Sequence, residues 1–120
     1  MNEILNNIKT RRSIRSFTDE KIPKEALEQI VEAGRYAPSA MNRQLCRFTV
    51  VQNPVMIEKL AAAIRRELNR DSSYHFYAPN VMLLVSNERS NPHGIEDCAC
   101  ALENIFLAAH ALGIGSVWIN

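Results

Sequence analysis

The feature that most constrains this chain is a long, nearly uncharged helical stretch towards its C-terminal end. Residues 95–112 read IEDCACALENIFLAAHAL, and after Asp97 the only Asp, Glu, Lys or Arg in the stretch is Glu103. A helix without a polar face must be covered on nearly every side, either inside its own domain or by a partner chain. Gly113 follows at the position where a left-handed residue commonly ends a helix.

The rest of the chain alternates helical stretches with β-branched runs. Apolar residues recur at helical spacing in three stretches, and β-branched runs predict strands in three others. The predicted helices cover residues 2–9, 24–37 and 55–68, and the predicted strands cover 47–52, 80–86 and 115–120. No repeat or low-complexity segment divides the sequence. Residues 1–120 are therefore expected to form a single domain.

Charge and composition exclude several classes of function. The chain is 47% hydrophobic and has a formal net charge of +1, whereas proteins that bind a nucleic-acid backbone usually carry a larger basic excess. The N-terminal residues lack the basic leader and apolar run of a signal peptide, and no stretch of about 18 apolar residues predicts a membrane span. Three cysteines, an odd number without an export signal, favour a reducing cytoplasmic location.

Residues 11–17, RRSIRSF, form a tight basic cluster in this nearly neutral chain. In an extended segment, alternate side chains share a face. Arg11, Ser13 and Arg15 would then place two guanidinium groups on either side of a hydroxyl, an arrangement that suits a phosphate group. The alternative is a solvated basic loop, because short basic runs are common.

Residues 37–44, APSAMNRQ, combine small and amide side chains. Small side chains allow a flat ligand to approach the backbone, and Asn42 and Gln44 each carry a donor and an acceptor for the edge of a heteroaromatic ring. The alternative is a polar connection between a helix and a strand.

The remaining residues with chemical potential do not predict a metal site or a catalytic group. Cys98 and Cys100 are two positions apart on a helix, so their thiols diverge and are expected to be inert. The three histidines are scattered, and no common hydrolase, metalloprotease or nucleotide-binding motif is present. Three aromatic residues within 73–80 either pack on the core or line a pocket.

Taken in order, four stretches resemble the nitroreductase family of FMN-dependent oxidoreductases. The resemblance runs through nearly the whole chain, and the correct order of four modest motifs makes it specific. The matching stretches are RRSIRSF (11–17), RYAPSAMNRQLCRFTVV (35–51), FYAPNVMLLVS (76–86) and DCACALENIFLAAHALGIGSVWI (97–119). One departure is that Leu45 and Cys46 replace the usual Pro-Trp. Family members also continue beyond the third predicted strand, so the chain is expected to lack a C-terminal portion that supplies further flavin contacts.

The resemblance implies an α+β fold with a mostly antiparallel central sheet flanked by helices. It also implies an intertwined homodimer with FMN bound at the dimer interface. Arg11 and Ser13 match phosphate-contacting positions, Arg12 lies between them, and Arg15 matches the basic residue near the pyrimidine edge of the flavin.

The same resemblance implies that a loop reaches the flavin from the partner subunit. Its matching residues in this chain are Pro38, Ser39, Ala40, Asn42 and Gln44. The helix around residues 104–108 matches one that packs across the dimer, which would cover its apolar surface.

The implied activity is hydride transfer from NAD(P)H, by way of FMN, to a nitroaromatic, quinone or similar electrophilic small molecule in a ping-pong order. No protein acid or base is required for such a transfer, because the flavin carries out the redox chemistry. One alternative is a flavin-binding or structural dimer without turnover. Another is an anion-binding or nucleic-acid-binding module, against which the low net charge argues.

Overall fold

In a computed structural model, residues 2–71 and 76–119 are described, and they form four α-helices and two β-strands. In chain order these are α1 (Glu3–Thr10), α2 (Lys24–Arg35), β1 (Arg47–Val51), α3 (Pro54–Glu67), β2 (Met82–Ser86) and α4 (Gly94–Ala111). A short 3₁₀ turn lies at Ala40–Asn42. The α+β class is confirmed, and the four predicted helices and the first two predicted strands all form.

Local capping sets where the helices begin. The Oδ1 atom of Asn2 accepts hydrogen bonds from the backbone N–H groups of Ile4 and Leu5, and α1 therefore begins at Glu3. Asn53 caps α3 in the same way, with Pro54 in the first turn, where its missing N–H has no consequence. At the other end of the chain, Gly113 has φ +76° and ends α4 as predicted.

The two strands pair antiparallel, with Arg47 opposite Ser86 and Val51 opposite Met82. The third predicted strand, over 115–120, is not formed within the described residues. Ser116 makes only a single parallel bridge to Ser13, in which the N–H of Ile14 donates to the carbonyl of Ser116. A regular strand needs a neighbouring extended backbone along its length, and here only the short basic segment lies beside it.

The core lies between α2 and α4. Ile30, Ile105 and Ala109 form its buried cluster, and side chains from both strands, such as Phe48 and Leu83, pack against it. Gly34 allows the two helices to approach closely, because a Cβ atom at this position would lie 2.9 Å from Cγ1 of Ile105. The sheet therefore covers one side of the helix pair.

The long helix α4 is only partly covered by its own chain. Asp97, Ala101, Ile105, Phe106 and Ala109 are buried. In contrast, Cys100 is exposed, and Ile95 exposes 85% of its surface. Of the two alternatives predicted for this helix, burial inside its own domain is thus incomplete, because α1, α2 and the sheet leave part of its surface uncovered. Cover by a partner chain is the remaining alternative.

Gly34→Val is expected to lower the free energy of unfolding by about 2 kcal/mol. Valine is a better helix former than glycine, but its side chain must displace Ile105 in the core. Urea denaturation would measure the change, with Gln29→Val as a control at an exposed position of the same helix. Equal stability of the two variants would contradict the close packing of α2 on α4.

Candidate functional site

The basic segment is extended, and two of its three arginines have no partner within the described chain. The side chains of Arg11, Ser13 and Arg15 make no hydrogen bond or ion pair among residues 2–71 and 76–119. Arg12 differs, because its Nη1 atom donates to the carbonyl oxygens of Lys9 at 2.9 Å and of Arg11 at 2.8 Å. Arg12 thus caps the end of α1, while the binding role of Arg11, Ser13 and Arg15 stays a prediction.

Two hydrogen bonds from α1 fix this segment to the C-terminal end of α4. Asn7 donates through Nδ2 to the carbonyl of Leu107 at 2.9 Å. Thr10 Oγ1 lies 2.9 Å from Nε2 of His110 and 2.8 Å from the carbonyl of Asn6. Since a hydroxyl has one proton and the carbonyl must accept it, His110 donates to Thr10.

The 37–44 loop is shaped by its own polar side chains. The N–H of Gln44 donates to Oγ of Ser39 at 3.0 Å, and Gln44 Nε2 donates to Oδ1 of Asn42 at 3.0 Å. Met41, Asn42 and Gln44 all have positive φ values near 55°, a conformation that costs free energy in residues other than glycine. The loop therefore holds an unusual backbone shape with Asn42 and Gln44 exposed to solvent.

A buried carboxylate holds this loop in place. Asp97, near the start of α4, is 5% exposed, and its Oδ1 accepts from the N–H of Ala40 at 2.9 Å. Its Oδ2 accepts from Nδ2 of Asn91 at 3.0 Å. Hydrogen bonds from Asn91 and then from Ala40 lower the pKa of Asp97. Asp97 was not predicted from the sequence as part of the site. An acidic residue at the start of an apolar helix could have indicated a buried carboxylate that accepts hydrogen bonds.

The nine predicted residues fall into two groups at opposite ends of α4. Arg11, Arg12, Ser13 and Arg15 lie beyond its C-terminal end, whereas the 37–44 loop is attached to Asp97 near its start. From Asp97 to His110 the helix rises about 20 Å, at about 1.5 Å per residue. The structure therefore brings the members of each group together but does not bring the two groups of one chain onto a common surface.

The chemistry of the first group fits the phosphate of FMN. Two guanidinium groups without internal partners, Arg11 and Arg15, flank the free hydroxyl of Ser13, and all three are donors that suit a phosphate monoester. The second group suits the flavin ring through the exposed amides of Asn42 and Gln44, which offer both donors and acceptors. The residues present in each group thus suit one part of FMN.

Two open grooves in the described part of the chain are lined by none of the nine predicted residues. One, of about 510 Å³, lies between α1, α2 and α4 and is lined by Asn7, Tyr36, Asn104 and Leu107 among others. Asn104 is held there by a hydrogen bond from its Nδ2 to the carbonyl of Ala33 at 3.0 Å. The groove is shallow and open to solvent.

The aromatic segment 73–80 lies only partly within the described residues, because 72–75 fall outside them. Phe76 is buried at 3% exposure, as expected for packing on the core, and Tyr77 is half-buried. Asn80 donates through Nδ2 to the carbonyl of Glu20 at 2.7 Å and anchors the end of this segment.

Metal and membrane sites receive no support from the part of the chain that the structure describes. No group of three or more potential ligands lies close enough to hold a metal ion among these residues. No helix formed by them is long and apolar enough to cross a membrane.

The sequence of this chain is similar to that of one protein family over nearly its whole length. The profile of the nitroreductase family matches residues 8–120. A Methanothermobacter thermautotrophicus protein, provisionally named as an NADH dehydrogenase or NAD(P)H nitroreductase, is 36% identical over 97% of this chain. The FMN reductase [NAD(P)H] of Bacillus subtilis is 30% identical over the full chain.

Among solved structures, a nitroreductase from Bacteroides fragilis with bound FMN superposes with a TM-score of 0.94 at 42% identity over the full chain. The chain spans 60% of the length of the Methanothermobacter relative, 55% of the Bacillus relative and 71% of the Bacteroides structure.

Proposed function

This chain belongs to the nitroreductase family, and from that premise we propose that it is part of an FMN-dependent oxidoreductase. Its reaction would transfer hydride from NAD(P)H to a nitroaromatic, quinone or similar electrophilic acceptor. The observation that carries the proposal is the pair of donor groups at the two ends of α4, one suited to a phosphate and the other to a heteroaromatic ring.

The separation of these two groups supports a homodimer. The relevant positions of the helix are about 20 Å apart, and we infer that the two groups around one FMN molecule come from different chains. A second chain running in the opposite direction would bring its 37–44 loop to the basic segment of the first. Each of two FMN sites would then contain residues from both subunits.

Exposed apolar side chains also support the homodimer. Ile4, Leu5 and Ile8 of α1 are between 49% and 70% exposed, and Ile95 of α4 is 85% exposed. Neighbouring apolar residues exposed to this extent are typical of surfaces that bind another protein chain. The partly uncovered α4 would lie against the second subunit. Sedimentation velocity should therefore give the mass of a dimer at micromolar concentrations, and a monomer would contradict this part of the proposal.

Each named residue has a part in this proposal. Arg11 and Ser13 would bind the phosphate, with Arg12 holding the end of α1 beside them. Arg15 would place its positive charge near the pyrimidine edge of the ring, where negative charge increases on reduction. In the partner's loop, Pro38, Ser39 and Ala40 would approach the ring through backbone, and Asn42 and Gln44 through their amides.

FMN, when bound, would supply the hydride-accepting and hydride-donating chemistry. The chain's own residues would bind and orient it, and no acid or base among them needs to move a proton. NAD(P)H and the acceptor would occupy the same site in turn, which is the ping-pong order. A cytoplasmic location is also proposed, because an odd number of cysteines favours a reducing compartment.

The direct test is the visible spectrum of the purified protein. A yellow protein with flavin absorbance that is lost when NADH or NADPH is added without oxygen would support the oxidoreductase. Flavin absorbance that neither nucleotide changes would favour the alternative, a flavin-binding dimer without turnover. A colourless protein that takes up no added FMN would overturn the proposal.

Arg11→Ala and Arg15→Ala are each expected to weaken FMN binding about tenfold. Each removes a guanidinium group that has no partner among the described residues and that would form a charge-assisted hydrogen bond to FMN. Fluorescence quenching of FMN on titration would measure the dissociation constant. Arg66→Ala, at an exposed position on α3, is the matched control and should change it less than twofold. Equal effects of all three variants would show that the basic segment has no specific part in binding.

A further inference from the structure

Two cysteines that are far apart in the sequence meet in the fold. The Sγ atoms of Cys46 and Cys98 lie 3.8 Å apart, although 52 residues separate them. Both residues are half-buried, so a small reagent can reach them. Cys46 immediately precedes β1, and Cys98 lies in the first part of α4.

An amide group is directed at both sulfur atoms. Nδ2 of Asn87 lies 3.3 Å from Sγ of Cys46 and 3.8 Å from Sγ of Cys98. The backbone N–H of His93 donates to Oδ1 of Asn91, so Nδ2 of Asn91 must be the group that donates to Oδ1 of Asn87. This chain of hydrogen bonds leaves the two N–H groups of Asn87 facing the sulfur atoms, where they can stabilise a thiolate.

We propose that Cys46 and Cys98 are a redox modification site, a dithiol that forms a reversible disulfide and thereby fastens the 37–44 loop to α4. The loop already has one attachment to this helix, because the N–H of Ala40 donates to Asp97, the residue before Cys98. Cys46 lies two residues after the loop ends. A disulfide would therefore add a second attachment to the same turn of α4, six residues after the first.

The geometry requires only a small movement. A disulfide has an S–S distance of about 2.05 Å, so the two sulfur atoms must approach by about 1.8 Å. A change of side-chain rotamer at either cysteine can supply a movement of that size. Cys100 cannot compete, since it is exposed and lies two positions along the helix from Cys98.

The oxidant we propose is a small disulfide, R–S–S–R. Burial, together with the neighbouring Cys98 thiol, raises the pKa of Cys46 to about 11, which makes Cys46 a poor first nucleophile near neutral pH. In the proposed sequence Cys98 therefore attacks first: it loses its proton to water, and its sulfur displaces RS⁻ to form a mixed disulfide. The sulfur of Cys46 then gives its proton to the released RS⁻, attacks Sγ of Cys98 and displaces the second RS⁻. Two protein thiols are oxidised, and one small disulfide is reduced to two thiols.

The test is treatment of the reduced protein with glutathione disulfide, then alkylation of the remaining thiols and peptide mapping by mass spectrometry. The expected product has lost two thiols, carries a Cys46–Cys98 crosslink and is alkylated only at Cys100. Hydrogen exchange of the backbone over 40–46 should slow at least about tenfold in this product. Dithiothreitol should restore three thiols. None of these measurements requires bound FMN, so they remain informative if the proposed activity fails.

Three comparisons make the result specific. Cys100→Ser should crosslink at the same rate as the unchanged protein, whereas Cys98→Ser should give no crosslink. Asn87→Ala should crosslink more slowly, with unchanged alkylation of Cys100 as the sign that the fold is intact. In urea, the Cys46–Cys98 crosslink should form much more slowly, because the unfolded chain no longer holds these two sulfur atoms together. Stable glutathione adducts without a crosslink in the folded protein, or a Cys98–Cys100 bond there, would overturn the proposal.

Discussion

Replacing Ile105 with alanine is expected to lower the free energy of unfolding by about 3 kcal/mol, the middle of the range for a buried isoleucine. Ile105 is 5% exposed, belongs to the central cluster with Ile30 and Ala109, and contacts the position where Gly34 brings α2 against α4. The cavity left by the shorter side chain would lie where both helices and the sheet meet. Thermal and urea unfolding would measure the loss, with Tm expected to fall by about 10 °C.

Ile95→Ala is the matched control, because it removes the same atoms from the same helix at a position that is 85% exposed. It should change the stability of the monomer by less than about 0.5 kcal/mol. Measurements at several protein concentrations separate this effect from any weakening of a dimer, since only the latter depends on concentration. Similar losses for both variants at low concentration would contradict the orientation of α4 in this fold.

The existence of α4 is predictable from sequence, but its buried side is not. The apolar residues of 95–112 surround the helix, so their spacing does not distinguish Ile105, which is buried, from Ile95, which is exposed. The other helices are predictable within a residue or two because capping residues such as Asn2 and Asn53 mark where they begin. The third strand is predicted wrongly because strand formation depends on a neighbouring backbone that local sequence does not specify.

The candidate site also has features that the sequence predicts and features that it does not. The alternation of Arg11, Ser13 and Arg15 requires only extended backbone, and these side chains make no hydrogen bond or ion pair with the described residues. Their role in binding stays a prediction. The contact between Cys46 and Cys98 joins residues 52 positions apart, and no local pattern contains it. The placement of the two residue groups at opposite ends of α4 likewise depends on how α1 and the 37–44 loop pack on that helix.

Asp97 is the residue whose loss should affect the site most. Asp97→Ala would leave two donors without their acceptor, the backbone N–H of Ala40 and Nδ2 of Asn91, in a buried position. The 37–44 loop, which has three residues at positive φ, would then lose its attachment to α4. In the proposed dimer we expect FMN binding to weaken roughly a hundredfold, because the loop that each subunit would place against the flavin ring of the other would no longer be held in position. Tm should fall by roughly 5–10 °C.

Asp97→Asn separates the charge from the shape of the side chain. An asparagine there can still accept from Ala40, but its own NH₂ group would face the NH₂ group of Asn91. Asn91 cannot simply turn over, because its Oδ1 accepts from the N–H of His93 and its Nδ2 donates to Asn87. The variant should therefore be less stable than the unchanged protein at neutral pH, while Glu96→Gln, an exposed neighbour in the same first turn of α4, should not be.

The pH dependence gives this prediction a second, independent measurement. The hydrogen bonds from Asn91 and Ala40 lower the pKa of Asp97 below its ordinary value of 3.8. A lowered pKa in the folded state means that the ionised carboxylate stabilises the fold fully above pH 3.8, and that this stabilisation is lost as the pH falls through the folded-state pKa. The stability difference between the unchanged protein and Asp97→Asn should hence be constant near neutral pH and shrink in acid. A difference that stays the same at every pH would show that the substitution disturbs packing alone, and that the charge of Asp97 does not hold the loop.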